Sequence, residues 1–525
     1  MTTSKDSSSY SIVPVPLLDA TTCNADIVGH VSFVFPHQLS FEDLSNSWQA
    51  LVSVWPILAA RVRSNNSSRS GLEYRIPLAE RLDEIKVEEQ LKEPVESSFY
   101  CLDESQIPIS TFFPAFDRSC CFSSSSVDSQ IFIAHASSPE EEKRLTFANA
   151  LLTFAEYLEA DHPILTVQIT RFSQDTMISI TFTHIFGDLF SIKLIMIAWQ
   201  NLLHGKRPPE KLYNLGVDPF ASFASTAEEE EKSKQPPPIP RGFHRFGLIP
   251  KVRFIINYLY DIYIQRSEKS IEQRYIFVPK IEGERLEAQA KEDLQVMARR
   301  ENRRVNDQEY VGKSNTLFAW LMKQSYAASS PSSSSRSKFC TLICIANCRG
   351  LQWFAKHHSP HNLFGAALAI PLQSLTIGKL LDLSLGELAL HIRKSIKDKV
   401  NQADIAENIS FSIYQNSWKT RNERKDFVLP AHPNHSHHLS GMSDWRAIKA
   451  FDLDFGPAIL LLPDDSMPRD KTSRVWSVNV NMTMSCTKRD RWFVLGDSEH
   501  GTWLTGFLSS QQWSNLQGFG RYNEL

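Results

Sequence analysis

The sequence predicts a mixed α/β protein of two similar halves, each combining strands with flanking helices, joined by a crossover segment. Three observations carry this reading. At 525 residues the chain is too long for one ordinary core. Both halves interleave alternating apolar runs that suit strands with 3.6-periodic runs that suit helices. Between the halves, an acidic stretch at residues 228–231 is followed by Gln235-Pro236-Pro237-Pro238-Ile239-Pro240, which can neither continue a helix nor enter the middle of a sheet. The expected division is residues 1–212, a crossover at 213–272, and residues 273–525. No simple repeat of short period is visible.

The elements that matter follow in order. From Ser40 to Ala60 the pattern is helical: Ser40 is a plausible N-cap with Asp43 three residues on, Leu44, Trp48, Leu51 and Val52 share a face, and Pro56 marks the end. Leu165, Val167 and Ile169 alternate with Thr166, Gln168 and Thr170, and a second alternating run covers residues 177–183 after the turn Ser173-Gln174-Asp175. This is a hairpin whose second strand delivers the chain to His184. Beyond Asp188 the period becomes helical through Leu189, Ile192, Ile195, Ala198 and Leu202, with Gly205 as the stop.

Bulk properties exclude several classes. With 42% hydrophobic and 22% charged residues the composition is globular rather than disordered. A net charge of −3 leaves no basic excess for a phosphate backbone, so nucleic acid is not an expected partner. The N-terminal stretch lacks a signal-peptide core, and no apolar run reaches bilayer length. The run Phe254-Ile255-Ile256-Asn257-Tyr258-Leu259-Tyr260, flanked by Arg253 and Asp261, reads as a core or interfacial helix. Cys120 with Cys121, and Cys340, Cys344 and Cys348, lack the paired spacing of zinc sites. Serine-rich patches at residues 123–126 and 329–337 read as exposed loops, and the run from His432 to His438 reads as a loop without a metal. A reducing cytoplasmic location and no bound metal or redox cofactor are expected.

The motif that carries chemistry is His184-Ile185-Phe186-Gly187-Asp188, an HxxxD at the junction of strand and helix. A strand end holds an imidazole rigidly, Gly187 permits a tight turn, and a neutral histidine can take a proton from a hydroxyl attacking a carbonyl. The alternative on residues alone is a half-buried, satisfied histidine with Asp188 capping the next helix. No GxSxG, P-loop, GxGxxG or HExxH competes.

In that context the chain resembles the BAHD acyltransferases, particularly their fungal secondary-metabolism branch. The similar segments occur in the family's order. They are Leu51 with Trp55-Pro56-Ile57-Leu58-Ala59-Ala60-Arg61, the HxxxD, and Ser314-Asn315-Thr316-Leu317-Phe318-Ala319-Trp320-Leu321. Asn347-Cys348-Arg349-Gly350 with Leu363-Phe364-Gly365-Ala366 follow, then Ser443-Asp444-Trp445-Arg446 and Asp454-Phe455-Gly456-Pro457-Ala458. The resemblance implies two chloramphenicol-acetyltransferase-like halves around a channel, with His184 as general base. It implies Asp188 ordering the turn through Arg349, and Asp454, Phe455 and Gly456 as structural support. Ser314, Asn315, Ser443, Trp445 and Arg446 become candidate acyl-donor contacts. The implied co-substrates are an acyl-CoA, expected to be acetyl-CoA, and a hydroxylated small molecule such as a terpenoid or polyketide, in a monomer. The chain departs from the pattern at Leu189, where the family usually has glycine, at Ala366, and at Pro457-Ala458. Two other readings of the same fold stay open: another histidine-assisted reaction on a secondary metabolite, or a non-catalytic binding member. In the related peptide-condensation domains a histidine precedes the catalytic one, and Thr183 stands there instead.

Overall fold

The structure is a computed structural model that describes residues 9–524 except 92–97, 117–129, 208–215, 217, 224–235, 305, 307–308, 328–333, 351–364, 434–436, 461–471 and 486–487. Cys120 and Cys121, the acidic stretch, Leu363 and Phe364, the serines at 123–126 and 329–330 and 332–333, and the middle of the histidine run therefore lie outside the described residues.

In the first half, β1 (Val28–Pro36), α1 (Phe41–Val54), β2 (Phe99–Asp103), β3 (Phe132–His135), β4 (Leu165–Arg171), β5 (Asp175–Thr183) and α2 (Leu189–Leu203) follow in order. The crossover carries α3 (Leu248–Tyr260). The second half begins with β6 (Ile271–Pro279), α4 (Lys280–Arg300), α5 (Lys313–Tyr326), β7 (Phe339–Asn347), β8 (Ala367–Pro371) and α6 (Leu385–Lys399). It ends with β9 (His437–Asp444), β10 (Ser477–Thr483), β11 (Arg491–Asp497), β12 (Gly501–Ser509) and β13 (Asn523–Glu524).

Two large sheets organise these elements. The first has the order β10-β1-β5-β4-β2 and the second β8-β7-β9-β11-β12-β6-β3-β13, with Leu375–Thr376 pairing beside β7. Both are mixed: β2 runs parallel to β4, and β9 runs parallel to both β7 and β11, while most other neighbours are antiparallel. Each half lends a strand to the other. β10, from late in the chain, pairs with β1 from Ser477↔Val34 to Thr483↔Val28. β3, from early in the chain, pairs with β6 from Arg274↔His135 to Phe277↔Phe132. The apolar core follows the exchange, since the cluster holding Phe35, Ile178 and Trp199 also takes in Phe277 and Trp503.

The predicted hairpin is β4–β5, in register from Leu165↔Phe182 to Arg171↔Thr176. All nine residues of β5 are buried, so the polar half of the alternation faces protein rather than water. Polar side chains of the hairpin bond within the protein: on β4, Gln168 accepts from the Ala148 amide and Thr170 donates to the Leu145 carbonyl, and on β5, Ser179 meets Ser32 at 2.8 Å. Ser40 caps α1 by accepting from the Asp43 amide. The α-helix stops at Val54, earlier than the sequence pattern alone implies. The residue before a proline is pushed out of the helical region, and Trp55 has φ −121° and ψ 74°, after which Pro56–Ala59 form a 3₁₀ turn. Helix α1 packs on α2 through Trp48 and Trp199, whose ring centroids lie 4.9 Å apart.

Two expectations are corrected. His437 and His438 are not in a loop: they open β9, pairing with Phe339 and Cys340 of β7. Arg266 lies 3.0 Å from the His438 ring, and burial followed by that guanidinium draws its pKa down to about 4. Of the two readings of the apolar run in the crossover, core or interfacial helix, the first is corrected: the run is helical, but no residue of α3 is buried.

Candidate active site

Strand β5 ends at Thr183, beside Val28 of β1, and the His184 amide donates to the Ile27 carbonyl at 2.9 Å. His184–Phe186 then form one 3₁₀ turn, closed by Gly187 at φ 144°, a region that disfavours any side chain. Ile185 and Phe186 are buried in the core, and the buried Tyr74 hydroxyl donates to the Ile185 carbonyl at 2.6 Å. The motif's two apolar residues thus anchor the turn, and of its five residues only His184 keeps partial solvent access.

Asp188 is spent on ordering this turn. Its Oδ1 accepts from the Phe190 amide at 2.9 Å, capping α2. Its Oδ2 accepts from Arg349 Nη1 at 2.6 Å and from the Ala366 amide at 3.0 Å. Burial opposes its charge, but the Arg349 guanidinium and the Ala366 amide outweigh burial and hold the carboxyl below its ordinary 3.8. The Arg349 amide in turn donates to Asn347 Oδ1, and its guanidinium lies 5.4 Å from the Phe190 ring centroid.

His184 responds to the same surroundings. Loss of hydration draws its pKa below the ordinary 6.5, and the Asp188 carboxylate and the ring's own backbone carbonyl pull upward without prevailing. At neutral pH the imidazole is therefore largely neutral, the form that can accept a proton. Its Nδ1 is shielded from solvent and makes no well-formed hydrogen bond. Burial pushes the Cys101, Cys340, Cys344 and Cys348 thiols up to about 12, which leaves these four poor nucleophiles at neutral pH.

Sequence reasoning missed Asp19 and Tyr74. Asp19 is buried; its Oδ1 accepts from the Gly365 amide at 2.9 Å, and burial followed by the neighbouring Asp188 charge raises its pKa well above 3.8. A Cβ at Gly365 would meet Asp19 Oδ1 at 2.5 Å, so any side chain there would have to displace that carboxylate. A lone acid in the apolar run Pro16-Leu17-Leu18-Asp19-Ala20 was the available signal. Tyr74 gave none.

The remaining candidates form two groups. Asp454 binds the amides of Gly456 and Ser473 through Oδ1 at 2.9 and 2.7 Å, and its own amide donates to Gln200 of α2. Phe455 is buried between Phe35 and Trp199, and Gly456–Ala458 form a turn whose Ala458 carbonyl accepts from the Ser40 amide. This loop braces α1 against α2, and none of its hydrogen bonds reaches His184. Second, Asp444 gathers Ser314 and Arg446: Ser314 Oγ donates to Asp444 Oδ2 at 2.7 Å, and Arg446 donates to both Asp444 oxygens at 3.0 and 2.6 Å. Trp445 donates to Ser443 Oγ at 2.8 Å and packs on Phe493, and Asn315 is buried in α5. Lys193 of α2 donates to the Ala447 carbonyl, tying this segment to the helix that Asp188 caps. Among the described residues no cluster of three or more His, Cys, Asp or Glu side chains is placed to hold a metal ion.

With this geometry in place, similarity to known proteins is decisive. The chain matches the Transferase family over residues 141–458. It is 33% identical over 532 residues to acetyltransferase MATC1 of Mycosarcoma maydis, covering 98% of this chain and 97% of that one. The chain belongs to the BAHD acyltransferase family. Acetyltransferase MAT1 of Pseudozyma antarctica (strain T-34) is 32% identical over 530 residues, covering 98% of each chain. The fold of this BAHD acyltransferase matches that of F. graminearum TRI101 in complex with coenzyme A and T-2 mycotoxin. The TM-score is 0.63 at 11% identity, covering 98% of this chain and 99% of that one. Vinorine synthase has the same fold, with TM-score 0.54 and 12% identity over 97% of this chain and 94% of its own.

Proposed function

We propose that this acyltransferase moves an acetyl group from acetyl-CoA to a hydroxyl of a hydroxylated secondary metabolite, a terpenoid or polyketide, with His184 as general base. The observation that carries the reading is His184 itself: a partly accessible imidazole kept neutral by its surroundings, on a turn locked by Asp188, Tyr74 and Ile27. Relatives named acetyltransferases, and a fold shared with an enzyme crystallised with coenzyme A and a mycotoxin, support the choice of donor and acceptor class.

The reaction proceeds through a ternary complex. His184 Nε2 takes the proton of the acceptor hydroxyl as its oxygen attacks the thioester carbonyl. The tetrahedral intermediate collapses, the C–S bond breaks, and the departing thiolate takes the proton back from the imidazolium. One ester and one free thiol result. No acyl-enzyme forms, in keeping with the high pKa of the buried cysteines. Asp188 and Arg349 act by positioning the turn, Asp454 with Phe455 and Gly456 by supporting it. In this reading Ser314, Asn315, Ser443, Trp445 and Arg446 contact the acyl donor.

The test is release of free thiol from acetyl-CoA in the presence of a panel of hydroxylated terpenoids and polyketides, with product mass measured. An acceptor mass increased by one acetyl group, lost in His184→Ala, supports the proposal. Thiol release without acylated acceptor overturns it.

A further inference from the structure

Helix α3 and the turn that follows it present an apolar face to solvent. The helix packs inward through Phe254, whose ring lies 5.7 Å from that of Phe246 and 6.0 Å from that of Phe427. On the opposite side Leu248, Ile249, Val252, Ile256, Tyr263 and Ile264 are exposed, with Ile249 at 81% and Leu248 at 78%. Spacings of three, four and seven residues place these side chains along one arc. A contiguous exposed face of this kind marks a surface that meets an apolar phase. A depression of about 420 Å³ runs along it, and its described lining comes from α3 alone.

The charges around the face identify what it meets. Lys251, Arg253 and Lys269 have no carboxylate partner among the described residues; Arg253 donates to the Pro433 carbonyl, and the Lys251 ammonium lies 5.0 Å from the Phe427 ring centroid. The acidic groups of the segment are already engaged: Asp261 by Arg266 and Arg489, and Glu268 by Arg489. The element is thus apolar on its outer face, cationic at its borders and rich in tyrosine, on a chain whose net charge is −3. We propose that the outer face of α3 seats this enzyme on an anionic lipid surface, lying in the plane of the headgroups. Thirteen helical residues extend only about 20 Å, too little to cross a bilayer.

The experiment is co-sedimentation of the full chain with vesicles of phosphatidylcholine mixed with phosphatidylserine, and with vesicles of phosphatidylcholine alone. Wild type is expected to bind the mixed vesicles and to be released by salt. Replacing Ile249 and Ile256 together by glutamate lowers binding at least about ten-fold without changing the thermal transition, since both side chains lie outside the core. Lys251→Gln and Arg253→Gln each lower binding to the mixed vesicles about five-fold and leave binding to phosphatidylcholine alone unaltered. Wild type that stays in the supernatant with both vesicles overturns the proposal. So does a dimer, seen by sedimentation velocity and dissolved by the same isoleucine substitutions, in a protein that ignores vesicles. That result assigns the face to a second copy of the chain.

Discussion

Asp188 and Arg349 stand 161 residues apart in the chain and meet at 2.6 Å, one at the start of α2 and the other just beyond β7. Both side chains are nearly inaccessible, at 6% and 9% exposure. Their ion pair fastens the turn bearing His184 in the first half to the second half. The same carboxylate also holds the Ala366 amide, so one side chain fixes the start of a helix, a turn and a loop.

Removing either partner strands a charge in a poorly hydrated site. Asp188→Asn and Arg349→Met are each expected to lower unfolding free energy by about 3–5 kcal/mol, with activity falling in parallel. In the double variant the cost is less than the sum, because the second change removes a charge already without a partner. Urea denaturation of the three variants checks this, and additive losses would refute the coupling.

His184→Ala is expected to behave in the opposite way. Its kcat falls about 10²–10⁴-fold while the thermal transition stays near that of wild type. Thiol release under saturating donor is the measurement. A rate within a few-fold of wild type in a folded variant excludes His184 as the base.

The pH profile follows from the direction of the His184 shift. Its pKa lies below 6.5, so kcat/KM is expected to be flat through neutral pH and to fall only as the medium becomes more acidic than an ordinary imidazole requires. Asp188 raises that pKa. Asp188→Asn is therefore expected to move the acid limb lower still, despite its lower plateau. An acid limb above 6.5 in wild type contradicts the assigned environment.

Gly365→Ala tests the packing behind the turn. The added carbon would meet Asp19 Oδ1 at 2.5 Å, displacing the carboxyl that the Gly365 amide now holds. Reduced stability and reduced kcat are expected together, and Asp19→Ala in the same chain relieves part of the stability loss by removing the clash. An unchanged melting temperature in the single variant counts against this close contact.

Asp454→Ala separates support from chemistry. Its loss leaves the Gly456 and Ser473 amides without their acceptor, at a cost of about 1–3 kcal/mol. The acid limb of kcat/KM keeps its wild-type position, because Asp454 shares no hydrogen bond with His184. A shifted limb would instead make Asp454 part of the base's own environment.

How much of this was legible in the sequence depended on whether the signal was local. The hairpin leading to His184 and the helix after Asp188 were readable because the apolar period changes from two to 3.6 within a few residues. Ser40 was readable as a cap because its partner, Asp43, is three residues away. Contacts between distant segments left weaker traces. The bond between Asp19 and Gly365 joins residues 346 apart, and Tyr74 reaches the Ile185 carbonyl across 111, so neither spacing carries a local period. The first residues of β9 looked like a histidine-rich loop because pairing with β7, rather than local propensity, makes them a strand. An apolar run such as that of α3 reads equally as a core or an interfacial helix, and only its packing partners reveal which face is left over.

The reciprocal loan of β3 and β10 makes the enzyme indivisible. A first half made alone would leave the edge of β1 unpaired, and a second half made alone would leave the edge of β6 unpaired. Two polypeptides created by dividing the gene at the crossover are thus expected to be insoluble apart and to regain activity when refolded as a mixture. Inheritance acts under the same restriction: either half can diverge in sequence, but neither can be traded for an unrelated domain without taking a strand from its neighbour.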